Sequence, residues 1–598
     1  MGWFIGLTPA TGIIDRSERK SLKNRLIKLL GEDPVFAVSN DRLLLLGGGL
    51  PDLFKSQITP DTNAGWLAGG VGIRSGDSVP SLMHEKDWDA LLSGAPSEEK
   101  VHALGGHFTA ISWSENRIEI FCDVLELSRV YFTRIGNLHA FSSRLDWMVS
   151  LLPGCSIDPE EIASAWTLIN SLSDKCFVRG VSRLGPSGHL SIINGSLNHT
   201  WHHWTPTVSP EVDVTSLLRE MVALPLRDGK RLTLGLSGGI DSRTLLAILL
   251  GSPAETWQVH SIGDTNNRDI SVAAMLAKEF AVKHQICYYT PNQNDSAEKV
   301  AAKLRDYSMR TEMSDSPFGY PKLDLFDDMG RRGFWMIDGA YGELLRRSYG
   351  HTLLPAVKLA LRENNFLPMI NRLASPRSAF FAREIRETFG HAIMAQMENA
   401  IRSMPHELED DPENWIDLFH LRYRLKNYAG GSQGLYDSHI PNYMPFAQPS
   451  ILNASFSIAL QKRRNNRINR QMILEGDKRL TKIPLLSYGV VVPYWTCRNI
   501  SLSRLIGKIK REFLSRNHET ERSFRLNTLL LLREFILDRI HSTDVEKCEL
   551  YDHVSLDTTV RKFYLEPNET DAQIIDDWLT FDFWREKLSD TLSSVHLG

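Results

Sequence analysis

Six consecutive residues, Ser237-Gly238-Gly239-Ile240-Asp241-Ser242, carry the groups that can hold a phosphate chain. The two glycines let the backbone turn tightly and approach a ligand closely. They follow the apolar run Arg231-Leu232-Thr233-Leu234-Gly235-Leu236, which reads as a buried strand, and precede a helical pattern over 241–250. Backbone N–H groups at the start of such a helix, together with its positive end, favour an anion. Ser237 and Ser242 can donate to phosphate oxygens, and Gly235 and Leu236 bring the strand end against the same ligand. Asp241 repels phosphate by charge but suits a Mg2+ ion bridging to it. No GK[ST] follows, so transfer of a γ-phosphoryl group is not implied. A plain glycine turn accounts for SGG, but not for flanking serines and an aspartate in this setting.

The surrounding pattern supplies the elements. The chain has 598 residues, room for two to four domains. Hydrophobic residues at 42% and charged residues at 23% exclude a disordered chain or a fibre. Lys+Arg 68 against Asp+Glu 72 gives a net charge of -4, which argues against a nucleic-acid coat. Six scattered cysteines without CxxC argue against a zinc ribbon, and a reducing, cytoplasmic setting fits. The N-terminus lacks the basic lead-in and apolar core of an export signal. Leu529-Leu530-Leu531-Leu532 is stopped by Arg533 and Glu534, far short of the ~20 residues of a membrane span.

Residues 1–206 read as strand-rich. Trp3 to Leu7, Leu43 to Leu46, and a hairpin-like series at 108–112, 118–122 and 139–142 are short strands, and Asn194-Gly195 is a tight-turn signal. A linker around 201–206 is flanked by Pro206 and Pro210. From about Val212 the pattern becomes strand, loop, helix, strand, with strands at 257–262 and 334–337 and a helix at 270–280, as in a parallel sheet with helices on both faces. Residues 350–430 and 500–598 read as helical and charged.

The hexapeptide resembles the pyrophosphate loop of the PP-loop ATP pyrophosphatases, and its surroundings resemble the asparagine synthetases. Ser261-Ile262-Gly263, Asp269, Ala273 and His284 are similar to that family's second strand and helix, which implies Ile262 against adenine. Asp338-Gly339-Ala340-Tyr341-Gly342-Glu343-Leu344-Leu345 falls where the family has SGEGSDELF. The alignment implies Asp338 and Gly339 as nucleotide contacts and Glu343 as a second metal carboxylate beside Asp241; the family's glutamate is replaced by Ala340. Met444-Pro445-Phe446-Ala447 resembles VPFLD, and spacing from it puts Arg467 on the family's catalytic lysine. An arginine there can hold pyrophosphate through its planar fork but cannot act as a base. A solvated basic helix face accounts for residues 464–470 equally well.

The N-terminal half resembles a class II glutamine amidotransferase domain. Met1-Gly2-Trp3-Phe4-Ile5-Gly6 keeps the frame of Met-Cys-(S/G)-I-x-G without its cysteine. Asn40-Asp41-Arg42-Leu43, residues 105–110, 141–145 and 184–189 are similar to further family segments, and Ala68-Gly69-Gly70 stands for Asn-Gly-Glu. Without the thiol and the glutamine contacts, this domain is not expected to make ammonia.

The resemblance therefore implies an α+β Ntn-hydrolase-like sandwich at 1–206, an α/β PP-loop (adenine nucleotide alpha hydrolase-like) domain at 213–500 and a helical extension at 501–598. The implied activity is an AMP-forming, carbon–nitrogen ligase using ATP and Mg2+. Two branches share the missing glutaminase, the β-lactam synthetases and the lasso-peptide macrolactam synthetases. The extra helices favour the second, with an Asp or Glu side chain of a peptide as the adenylated group, the peptide's own amine as nucleophile, and a leader peptidase and leader-binding protein as partners. Ammonia-dependent asparagine synthesis, an RNA-modifying PP-loop enzyme and a decayed, non-catalytic binding protein are the alternatives. Neither nucleic acid nor membrane is expected as a partner. The basic stretch 504–525 is interrupted by Glu512, Glu519 and Glu521.

Overall fold

The computed structural model describes residues 2–59, 63–75, 79–152, 154–209, 213–290, 295–347, 350–487, 489–514 and 523–594. Met1, Pro210, Val212, Glu519 and Glu521, which entered the sequence argument, lie outside the described residues.

The strand-rich region forms two antiparallel sheets. One runs Ser182–Arg183, Tyr131–Ile135, Leu138–Ser142, Trp3–Pro9, Leu44–Gly48, Phe36–Ser39. The other runs Ser196–Thr200, His189–Ile193, Arg117–Cys122, Gly105–Ser114, Gly65–Arg74, Phe54–Ile58, with Ser81–Leu82 beside Gly65–Arg74. Period-two alternation assigns side chains to layers. Phe4, Leu43 and Leu45 pack between the sheets with Ile111 and Ile120. Their neighbours Ile5, Leu44 and Leu46 face the opposite way, towards Leu22, Leu26 and Trp147 on helices. On the outer face of the second sheet, Trp66, Phe108 and Phe121 pack under Trp88 and Val101 of the helices Glu85–Leu92 and Glu98–His102. The layering is helix, sheet, sheet, helix, and each fully buried large apolar side chain contributes about 1.5–3 kcal/mol.

The expected hairpin series is divided. Gly105–Ser114 and Arg117–Cys122 pair in one sheet, whereas Leu138–Ser142 pairs with Tyr131–Ile135 in the other. Residues 123–130 make the crossing, and Asp123 accepts the amides of Leu125, Leu127 and Ser128 to shape it. Asn194 and Gly195 take φ 51 and 81 in the two-residue turn joining His189–Ile193 to Ser196–Thr200.

After the helix Val214–Arg227, five parallel strands form a third sheet in the order His284–Tyr288, Trp257–Gly263, Arg231–Gly235, Phe334–Ile337, Asn442–Tyr443. Both faces are covered: Leu232, Leu234 and Ile337 join the main core, while Phe334 and Met336 pack on Leu325 and Met329 of the helix Lys322–Arg331. Arg231–Gly235 is central and Phe334–Ile337 is its parallel neighbour. The loops leaving their carboxyl ends therefore lie side by side, where open α/β sheets hold ligands.

Helices fill the rest. The helix Glu569–Ser594 touches both halves: Trp584 donates to the Ser308 carbonyl at 2.9 Å, and Phe581 meets Trp166 with ring centroids 5.6 Å apart. No described helix is long and apolar enough to cross a membrane.

Candidate active site

The glycine loop occupies the turn between Arg231–Gly235 and the helix Ile240–Leu249. Gly239 is the helix N-cap and, having no side chain, leaves the first turn without a side-chain cap. The loop is braced from within. Ser237 and Ser242 hydroxyls lie 2.9 Å apart, the Ser237 amide donates to Ser242 Oγ at 3.2 Å, and the Gly239 amide donates to Ser237 Oγ at 3.2 Å. The Gly238 amide donates to Asp269 Oδ1 at 2.8 Å, which ties the loop to the helix Arg268–Glu279. The ribbon Leu485–Ser487/Val490–Val492 covers one side, with the Leu486 amide on the Gly238 carbonyl at 2.9 Å. A Cβ at Gly238 would stand 2.8 Å from Leu486 Cβ, so the fit requires glycine.

The second loop presses on the first. A Cβ at Gly342 would meet Asp241 Cγ at 2.8 Å, and one at Gly339 would meet the Ser242 amide at 3.0 Å. Asp338, half-buried at the end of its strand, accepts the Ala340 amide at 2.8 Å. Tyr341 is buried with φ 68, and this left-handed turn starts the five-residue helix Gly342–Arg346. Glu343 Oε1 bonds His420 Nε2 at 2.7 Å. His420 opens a π-helical stretch, His420–Leu425, between Pro412–Phe419 and Lys426–Tyr436. Such wide turns re-aim side chains and recur at functional sites.

Electrostatics distinguish the three carboxylates. Burial raises Asp241 above the ordinary carboxylate range, against the opposing charge of Arg346, whose Nε reaches both oxygens at 2.8 and 2.9 Å. Burial also pushes Glu343 up, but the His420 bond and nearby arginine charge bring it below its ordinary value. Asp338 is pushed up to about 6 by burial. A raised folded-state value means that stability falls as pH rises from about 3.8 through about 6. Asp338→Asn is therefore expected to stabilise the chain at pH 7.5 and to lose about half of that advantage at pH 5. Urea unfolding at both pH values measures this, and an equal gain at both would remove ionised Asp338 as the cause.

The basic segment chosen by spacing is divided. Arg463 is buried and donates to the Leu344 carbonyl and to Asp417, securing the helix that carries Glu343. Arg464 pairs with Glu413 at 2.5 Å, and Arg467 is exposed at the start of the helix Arg467–Gly476. The guanidinium on Asp241 belongs to Arg346, which sequence reasoning passed over; a register of basic residues gives no sign of a partner 105 positions away. His420 was also missed, for the same reason. Ile262 is half-buried on the strand Trp257–Gly263, and the adjacent Ser261 hydroxyl donates to the Leu236 carbonyl at 2.6 Å.

The residues fit a polyphosphate: an uncapped helix start, two glycines and two hydroxyls converge. For a metal they supply two carboxylates, Asp241 and Glu343, and no described cluster of three or more His, Cys, Asp or Glu could hold an ion. Mg2+ fits only with phosphate oxygens completing its shell and with Arg346 turned from Asp241.

At the other end of the chain, position 2 has no space. A Cβ on Gly2 would lie 2.7 Å from Phe54 Cδ2, 3.0 Å from Gly69 Cα and 3.4 Å from the Leu53 carbonyl. A Cβ on Gly69 would in turn meet the Gly2 carbonyl at 3.0 Å. Gly2→Cys is expected to destabilise the chain by about 1–3 kcal/mol through overpacking. It is also expected to release no ammonia from glutamine; ammonia formation by that variant would contradict the reading of residues 68–70.

Residues 213–336 match the asparagine synthase family model. The span holds the glycine loop, Ile262 and Asp269 and ends just before Asp338. No curated protein matches the chain. One similar solved structure is an allosteric regulatory enzyme of purine biosynthesis, 10% identical, covering 49% of this chain and 76% of that one with a TM-score of 0.20. Another is a glutamine phosphoribosylpyrophosphate amidotransferase from B. subtilis in complex with ADP and GMP, 10% identical, covering 62% and 73% with a TM-score of 0.19.

Proposed function

We propose that this chain is an ATP-dependent, amide-forming ligase that adenylates a carboxylate for attack by an amine on the same molecule. The observation that carries the reading is the contact of two loops, with the Gly342 backbone against Asp241 at the head of the helix Ile240–Leu249. The family match over 213–336 supports ATP as the substrate. The crowding at Gly2 leaves no room for the thiol that would draw ammonia from glutamine, and the additional helices favour the lasso-peptide type of ring closure over the β-lactam type.

In this reading the loop amides and the Ser237 and Ser242 hydroxyls exchange their internal bonds for phosphate oxygens. Asp338 and Gly339 border the nucleotide, with Ile262 against its base. A substrate carboxylate oxygen attacks the α-phosphorus and pyrophosphate leaves; the amine nitrogen then attacks the acyl carbon, AMP leaves, and the amine loses a proton. Asp241 and Glu343 would hold Mg2+, which would supply charge neutralisation for the departing pyrophosphate. Holding amine and acyl-adenylate on one molecule contributes up to ~7–11 kcal/mol in favourable cases.

The test is the product pair. Peptides with a free N-terminal amine and an internal Asp or Glu are incubated with ATP, and aspartate with ammonium serves as the competing substrate. Release of AMP and pyrophosphate with loss of one water from the peptide mass is expected. Asparagine formation would replace the cyclase reading, and release of ADP and phosphate would end the adenylation reading.

A further inference from the structure

We propose that a groove beside the ribbon Leu485–Ser487/Val490–Val492 docks an acidic peptide segment, with carboxylates against Lys482, Arg498 and Lys510 and an apolar side chain against Trp495. The proposal does not rest on the ligase reading. The groove has a volume of about 460 Å3, within the ligand-sized range of about 300–1,000 Å3. Lys510 reaches it from the helix Ile500–Leu514.

The charge of the groove is one-sided. Lys482, Arg498 and Lys510 line it, all three exposed, and among the described residues no carboxylate does. Asp477 lies within the field of Lys482 but outside the groove, and Arg479 holds it at 2.8 Å. Glu475, next to Leu474 of the wall, pairs with Arg219. Such a surface is complementary to negative charge. Between the cations the wall is apolar: Leu474, Pro484, Val492 and Pro493 line it with Trp495, which is 54% exposed. An open indole is the kind of anchor that dominates binding surfaces. The groove also presents main chain. The Val491 carbonyl accepts from Lys510 Nζ at 2.8 Å, so it points away from the partner strand Leu485–Ser487. An extended peptide can add to an edge of this kind, which favours a peptide over a lipid or a nucleotide.

The floor is formed in advance. Arg243, fully buried, donates to the carbonyls of Leu480, Ile483 and Pro484 at 3.0, 2.8 and 2.6 Å and lies 5.6 Å over the Tyr494 ring. A wall fixed before binding costs less ordering when the ligand arrives. Arg243 stands on the helix Ile240–Leu249, and the other edge of the ribbon bonds Gly238, so the groove shares its framework with the glycine loop.

Fluorescence anisotropy of a fluorescein-labelled peptide of alternating Glu and Leu, titrated with the full chain in the absence of ATP, tests the groove. Saturable binding is expected, at least about tenfold weaker for the same peptide with Gln in place of Glu, and at least about fivefold weaker for each of Trp495→Ala and Arg498→Glu. Both residues are exposed, so these variants keep the fold, which thermal melting checks. Absence of saturable binding, equal affinity for the glutamine peptide, or wild-type affinity in both variants would overturn the proposal. Tighter binding of oligothymidylate or of phosphatidylserine vesicles, weakened by the same two substitutions, would replace the peptide with nucleic acid or membrane as the occupant.

Discussion

Asp241→Ala is expected to remove ATP–pyrophosphate exchange, by about a hundredfold or more, while the chain stays folded. The size follows from losing a preorganised charge where the transition state carries excess negative charge. Asp241 stands in the first turn of Ile240–Leu249, wedged against Gly339 and Gly342. The stability cost is smaller. Arg346 would lose its bonds to Asp241, but its side chain is 26% exposed and water can replace them, at about 1–3 kcal/mol. Asp241→Asn keeps the volume and isolates the charge. Exchange kinetics and thermal melting of both variants measure the two effects; full exchange in either would remove Asp241 from the mechanism.

The sequence disclosed the local parts of this arrangement more readily than the long-range ones. Alternation is a local property, so strands at 3–7, 108–112 and 334–337, shorter than the observed Trp3–Pro9 and Gly105–Ser114 in the first two cases, and the strand–loop–helix unit around Gly238 were all visible in short windows. Which sheet a strand joins is not local. Leu138–Ser142 left the hairpin series because the Asp123 turn carries the chain across the sandwich. The Gly2–Gly69 contact explains physically why position 2 lacks a side chain, yet only the missing cysteine was visible in the chain itself. The Glu343–His420 bond joins residues 77 positions apart through a wide helical turn that no periodicity announces.

The basic groups show the same limit and set the second large effect. Arg346→Met is expected to slow exchange by about a hundredfold, whereas Arg467→Met changes it less than about threefold. Arg346 contacts Asp241 directly, at 2.7 to 2.9 Å, and Arg467 is exposed on a helix start. An arginine that releases a carboxylate when a polyphosphate arrives can turn its planar fork to the phosphates, which a solvated side chain outside the contact does not do. The pH profile separates this role from simple packing. Burial raises the Asp241 pKa and Arg346 holds the rise in check. Without Arg346 the value climbs further, so the ionised carboxylate is reached only at higher pH. The acid limb of the exchange profile should therefore move upward in Arg346→Met, and Arg346→Lys should restore much of its position by charge but less of the rate, because an ammonium cannot present two parallel donors. An unmoved acid limb, or a greater loss in Arg467→Met than in Arg346→Met, would return the phosphate-facing role to Arg467.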